Sequence, residues 1–121
     1  MDNPYAFERN SDLLVSTTPL LDGYRITSYL GIVRGLIVRA PTISQGILGG
    51  LKSIVGGNIG SYTEMCEQAR HQAYELMVRH AREMQATGIV GVQYDATEIG
   101  GQRSMTEVLC YGTAVMLVRA P

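Results

Sequence analysis

At 121 residues the chain has room for one domain, and a second hydrophobic core would not fit. Hydrophobic residues make up 45% of it, yet there is no Trp and one Phe, Phe7, so the core must come from Val, Ile, Leu, Met, Ala and Tyr. A net charge of −1 with dispersed Arg residues argues against a general nucleic-acid binder. No uncharged apolar run is long enough to span a bilayer, and the polar start carries no secretory pattern, so the expectation is a soluble cytoplasmic protein.

Residues 1–12 read as an N-terminal arm, followed by a domain over 13–121. Leu13 to Thr17 forms a short strand, ended by Thr18-Pro19, and Asp22-Gly23 is a turn signal. Tyr24 to Val38 is a long strand in which Ile26, Leu30, Ile32, Leu36 and Val38 share one parity and hence one face. Gly31 and Gly35 fall on the other face and mark bends, bulges or close backbone approaches. After Ala40-Pro41, a weak capping box at Thr42 and Gln45 opens a short Gly-rich helix carrying Ile43, Ile47, Leu48, Leu51, Ile54 and Val55. Gly56, Gly57 and Gly60 form a turn, and Ser61 with Glu64 makes a second capping box at the start of a long helix over Tyr62 to Thr87. Cys66, Ala69, Ala73, Leu76, Met77, His80 and Met84 form its apolar stripe, and Gly88 is the expected left-handed residue behind it. Ile89 to Ile99 and Met105 to Val118 are strands joined at Gly100-Gly101, the last with a bend at Gly112. The last strand is apolar on both parities, so both of its faces should be buried, the second by another subunit. The order β-β-α-α-β-β predicts an α+β fold with a mostly antiparallel sheet.

A Gly-rich loop entering a helix can hold an anion, which makes Gly56, Gly57, Asn58, Ser61, Tyr62 and Glu64 the candidate ligand-binding residues. The pattern is neither a Walker A loop nor a Rossmann fingerprint, and a structural turn is the stronger alternative. Cys66, His71 and Cys110 are the weak candidates for a metal. Cys66 and His71 lie about 140° apart around the helix, which makes them poor co-ligands, and His71 with His80 falls on opposite sides. His71 is spaced to pair with Glu67 or Glu75, and His80 is read as a packed core or interface histidine. Two separated cysteines are no disulfide framework, and both are read as small buried hydrophobes. Ser16, Thr17 and Thr18 have no base beside them in the sequence, and Asp95 and Glu98 have no acid–base partner, so no enzyme is expected.

These motifs, taken together, resemble the YbjQ family of small bacterial proteins, described as heavy-metal-binding domains. The carriers are Ser16-Thr17-Thr18-Pro19, Tyr29-Leu30-Gly31-Ile32-Val33, Ile54-Val55-Gly56-Gly57 followed by Tyr62-x-Glu64, Ala69-Arg70, Thr87-Gly88-Ile89-Val90-Gly91-Val92 and Gly112-Thr113-Ala114-Val115. They stand in the family's order across residues 13–118. The resemblance implies a dodecin-like α+β subunit in a ring-like homo-oligomer, a pentamer, with a heavy-metal ion as the implied ligand. The chain departs from the family pattern at Leu30, where members often carry Cys, at Gly35-Leu36, where they carry Gly-Glu, and at Asn58-Ile59, where they carry Arg-Ser. Those departures remove a thiolate, a carboxylate and an arginine that would hold a soft metal or an anion. The functional expectation is a cytoplasmic, non-enzymatic homo-oligomer that binds a ligand or metal at subunit interfaces. The alternative is a structural or interaction module that uses the N-terminal arm, with Tyr5 and Phe7, and binds no ligand.

Overall fold

The computed structural model describes residues 13–39, 59–99 and 105–121, with residues 59–63 described by their backbone only. The elements are β1 (Leu14–Val15), β2 (Tyr24–Arg39), α1 (Ile59–Glu83), β3 (Gly88–Ile99) and β4 (Met105–Arg119). They form a four-stranded sheet in the order β1-β3-β4-β2, with α1 packed across one face. The β2–β4 and β3–β4 pairs are antiparallel, whereas β1 runs parallel to β3, so the sheet is mixed. The second, Gly-rich helix, the Gly56–Asn58 turn, the N-terminal arm and the Gly100-Gly101 turn all lie outside the described residues.

Two bulges decide which side of β2 meets the helix. The register with β4 slips between Ile26 and Ser28 and again between Tyr29 and Gly31, each time placing one extra residue on β2. Gly31 takes φ +124 there, as a residue marking a bulge should. A one-residue slip exchanges the faces of a strand. Val33 and Ile37 therefore point to the helix together with Leu30. Ile32, Leu36 and Val38, read from parity as one face with Leu30, stand on the opposite side, and Ile32 is 71% exposed.

Gly35 is where α1 comes closest to the sheet. A Cβ at this position would overlap the Ala73 carbonyl oxygen and stand 2.7 Å from the Met77 nitrogen and 2.8 Å from the Leu76 Cβ. The helix can lie this low because Ala69, Ala73 and Ala81 line the facing stripe with Met77, and all four are buried. From the other layer Val33, Ile89, Val92, Val108, Cys110 and Ala114 complete the core.

Gly112 does not bend β4, which runs unbroken from Met105 to Arg119. The irregularity sits opposite, on β3, where the register slips between Val90 and Gln93 and Gly91 takes φ +64. Gly112 gives it room: a Cβ there would meet the Ile89 Cγ2 at 2.9 Å and the Val92 Cγ2 at 3.0 Å. The N–H groups that the bulge turns outward are accepted by the chain after β1, Gly91 by the Thr18 carbonyl at 3.0 Å and Val92 by the Ser16 carbonyl at 3.1 Å.

The long helix begins at Ile59, so Ser61 lies inside the first turn and the expected Ser61–Glu64 capping box does not mark its start. It ends at Glu83, short of the expected Thr87. The left-handed residue is Gln85, at φ 61, and not Gly88. Ala86 N–H donates to the Ala81 carbonyl at 3.1 Å and Gln85 N–H to the Arg82 carbonyl at 2.9 Å, the two bonds of a Schellman cap. Gly88 is instead the first residue of β3, where a Cβ would press on the Leu117 side chain at 2.5 Å.

Candidate functional site

Most of the expected ligand-binding residues fall outside the described part of the structure. Gly56, Gly57 and Asn58 lie outside the described residues, as do the side chains of Ser61 and Tyr62, and Glu64 stands exposed on the helix. The Ser16–Thr18 motif is consumed by its own hydrogen bonds. Thr18 N–H donates to the Ser16 Oγ at 3.1 Å, and the Thr18 hydroxyl donates to the Leu20 carbonyl at 2.6 Å. The 2.6 Å contact between the two hydroxyls must therefore be Ser16 donating to Thr18. The Ser16 hydroxyl fastens this loop, with no base beside it among the described residues.

All four Cys and His residues of the chain are described, and they stand in separate places. Cys66 is exposed, contrary to the expectation of burial, and the first buried residue among the described side chains of α1 is Ala69. His71 is exposed and faces the Glu75 Oε2 at 3.6 Å, an i,i+4 contact of small energetic weight. His80 is half-buried over β2, where its Nδ1 accepts the Arg34 N–H at 3.2 Å. Accepting at Nδ1 places the imidazole proton on Nε2 and satisfies a donor on the open edge of the sheet. Cys110 is fully buried, and Cys66 is eleven residues up the helix from Met77, which covers Cys110, or about 16 Å at 1.5 Å per residue. Among the described residues no group of three or more His, Cys, Asp or Glu side chains is close enough to hold a metal ion.

What does converge is sulfur. Cys110 sits in register with Gly35 on one side and Tyr94 on the other. Because Gly35 has no side chain, Met77 comes down from α1 onto Cys110, and the thiol meets the thioether sulfur at 3.7 Å. Burial pushes the Cys110 thiol up to about 11, with the hydrogen bond from Tyr94 pulling the other way. Tyr94 is raised as well, first by burial and then by Cys110, against the lowering effect of Arg70. The Arg70 guanidinium lies 5.5 Å from the centre of the Tyr94 ring. Separate readings of Cys110 and of the Met77 stripe could not foresee this contact, since it spans 33 residues and depends on the depth of the helix at Gly35.

On the other face of the same strands Val90 and Val115 are buried, while the β2 end exposes large apolar side chains with Arg34 among them. Ile32, Leu36 and Val38 of β2 are in register with Thr113, Leu109 and Glu107 of β4, and no described layer covers them. Tyr29 is 68% exposed at one end of this face. The Tyr111 hydroxyl, on the same face, donates to the Gln93 Oε1 at 3.0 Å. Among the described residues no helix is long and apolar enough to cross a membrane.

Comparison with known proteins agrees with this architecture. A UPF0145 protein of Legionella pneumophila is 56% identical over 105 residues, which cover 87% of this chain and 98% of that protein. A UPF0145 protein of Francisella tularensis is 49% identical over 105 residues, covering 87% and 99%. The crystal structure of a protein of unknown function from Pediococcus pentosaceus, assigned to the DUF74 family, matches with a TM-score of 0.60 over 88% of this chain and 98% of that one, at 19% identity. That likeness shows a shared α+β fold. The YbjQ family model, described as "Putative heavy-metal-binding", matches residues 13–118. With nearly the whole chain matched and relatives this similar along their whole length, the protein is a member of the YbjQ family.

Proposed function

We propose that this chain is a non-catalytic, cytoplasmic subunit of a homo-oligomer, closed by the open face of β2 and β4, with a ligand or metal ion held where copies meet. The observation that carries the reading is that open face. Tyr29, Ile32, Leu36 and Val38 are 46% exposed or more on a strand whose opposite side carries the buried Val33 and Gly35. Arg34 and Glu107 interrupt the face, and an exposed sheet surface with this many large apolar side chains marks an interaction site in a stable protein. The front of α1 adds to it, since Met65 and Cys66 project beyond the sheet, with His71 and Glu75 exposed further along. The described residues of a single copy offer no three-ligand cluster, and donors from a second copy would complete a Cys/His/carboxylate site.

Light scattering of the untagged protein tests the assembly. The expected result is a mass several times that of one chain, falling to one chain in Ile32→Asp. A monomeric wild-type mass would overturn it. Metal analysis on both proteins tests the ligand: metal at the interface should be retained by the oligomer and lost from Ile32→Asp. If neither retains metal and zinc, copper or nickel ions shift no melting temperature, the metal part fails while the assembly stands.

A further inference from the structure

The sheet has two edges with no neighbouring strand among the described residues. β2 forms one end of the strand order. At the other end β1 pairs with β3 at Gly88 and Ile89, which leaves the outer half of β3, residues 93–99, bonded to β4 alone. Every residue of that outer half is exposed. The two edges carry opposite charge. β2 holds Arg25, Arg34 and Arg39 and no acid, whereas residues 93–99 hold Asp95 and Glu98 and no base.

Their backbones also match. The Arg34 N–H goes to His80 on α1, so it points away from β4, and alternation turns the backbone groups of Leu36 and Val38 the same way. Tyr111, opposite Arg34, therefore bonds toward Gln93, which leaves the N–H and C=O groups of Tyr94, Ala96 and Glu98 facing outward from β3. Both β2 and β3 run antiparallel to β4, hence parallel to each other. A copy rotated about a common axis thus brings its β3 alongside this β2 in parallel. With Arg34 opposite Asp95 of the next copy, the Leu36 and Val38 N–H groups meet the carbonyls of Ala96 and Glu98. The Arg34 and Leu36 carbonyls meet the N–H groups of the same two residues. On the open face this register sets Val38, 50% exposed, against Ile99, 40% exposed. On the helix face Glu98 lies diagonal to Arg39, whose guanidinium also donates to the Gln72 Oε1 at 2.6 Å. His80 takes the single N–H that precedes this ladder.

We propose that residues 34–39 of one copy and residues 95–99 of the next pair as parallel strands, so that the sheet continues head to tail from copy to copy. Like edges would set Arg against Arg or acid against acid, which makes the contact heterologous. The inference rests on the homo-oligomer proposed above and adds a backbone ladder to its apolar face.

Light scattering of three variants tests it, each checked for native circular dichroism. Ala96→Pro deletes an outward N–H, a change that edge strands tolerate, and should reduce the mass to that of one chain. Arg34→Glu should weaken assembly by roughly tenfold or more, and adding Asp95→Arg should restore it. An assembled Ala96→Pro protein, or a charge-swapped double variant no better than Arg34→Glu, would overturn the ladder. Should Ala96→Pro not fold, the charge swap decides alone. Assembly lost in Ile32→Asp but intact in Ala96→Pro and Arg34→Glu would reject the edge contact and leave the face contact standing. The opposite pattern would keep the edges and reject the face, and a monomeric wild type would reject both.

Discussion

The two faces of β4 are made from similar residues and meet different surroundings. Toward the helix, Val108, Cys110, Gly112 and Ala114 are all buried. Away from it, Leu109, Tyr111 and Thr113 are left half-exposed, beside β2 residues that are more exposed still. The contrast shows that apolar alternation by itself does not say which face a single chain can cover. One helix supplies one layer, and its position is set by the lack of a side chain at Gly35 and the small side chains of Ala69, Ala73 and Ala81. The opposite face is buried at Val90 and Val115, and beside β2 it leaves Ile32, Leu36 and Val38 exposed with Arg34 among them.

The largest expected effect breaks the covered face. Gly35→Ala places a methyl group on the Ala73 carbonyl and forces α1 off the sheet. Its cost should be about 3 kcal/mol or more in urea unfolding, at the upper end for overpacking because the obstacle is backbone. A cost below about 0.5 kcal/mol would mean that the helix does not approach β2 at this point.

A matched pair of truncations measures the two faces directly. Met77→Ala empties a fully buried position and should cost about 3 kcal/mol. Leu36→Ala, at 46% exposure, should cost under about 1 kcal/mol in the dissociated chain. If copies meet on the open face, Leu36→Ala should cost more at high protein concentration, where the chain is assembled, than at low, while Met77→Ala costs the same at both. Equal losses at every concentration for both variants would erase the distinction between the faces.

The covered face also has a pH signature. The Cys110 thiol is raised from an ordinary value near 9 to about 11. Between those values the unfolded chain gives up its proton while the folded chain keeps it, so the unfolded state binds fewer protons and stability falls as pH rises. Below about 9 the contribution is complete, and by about 11 the loss is on the order of 2 kcal/mol. Tyr94, also raised by burial, adds a second loss from its ordinary value of 10.0 upward. Melting temperatures from pH 8 to 11 should therefore decline, less steeply in Cys110→Ala, and Tyr94→Phe should remove the later part. An unchanged slope in Cys110→Ala would show that the thiol is not held protonated by the core.

Much of this was legible from local pattern. The ends of β2, β3 and β4 fall within a residue of where alternation places them, because strand periodicity is a local property. Gly31 and Gly35 were readable as a bulge and a close approach for the same reason, and His80 as a packed histidine from its place in the helical stripe. What failed depends on distant parts of the chain. Parity could not show that two bulges turn Ile32, Leu36 and Val38 away from the helix. The stripe could not show that Cys66, three residues before the buried Ala69, is exposed. The contact of Met77 with Cys110 needs both the helix depth and the strand register. The candidate loop at Gly56–Asn58 lies outside the described residues.

The smallest effect sharpens the comparison from the helix end. Gln85 holds φ 61 to close the Schellman cap that sends the chain from α1 into β3. A residue with a Cβ pays for that conformation, and glycine does not. Gln85 is exposed, so its side chain contributes little packing. Gln85→Gly should therefore stabilise the chain by about 0.5 kcal/mol, reduced from the full conformational difference by the greater freedom of glycine in the unfolded state. The cap serves the covered face alone. The same variant should leave the assembled mass and its concentration dependence unchanged, and its effect should add to that of Leu36→Ala within about 0.5 kcal/mol. A shift in mass, or strong non-additivity, would mean that the two faces of the sheet are coupled through the α1–β3 turn.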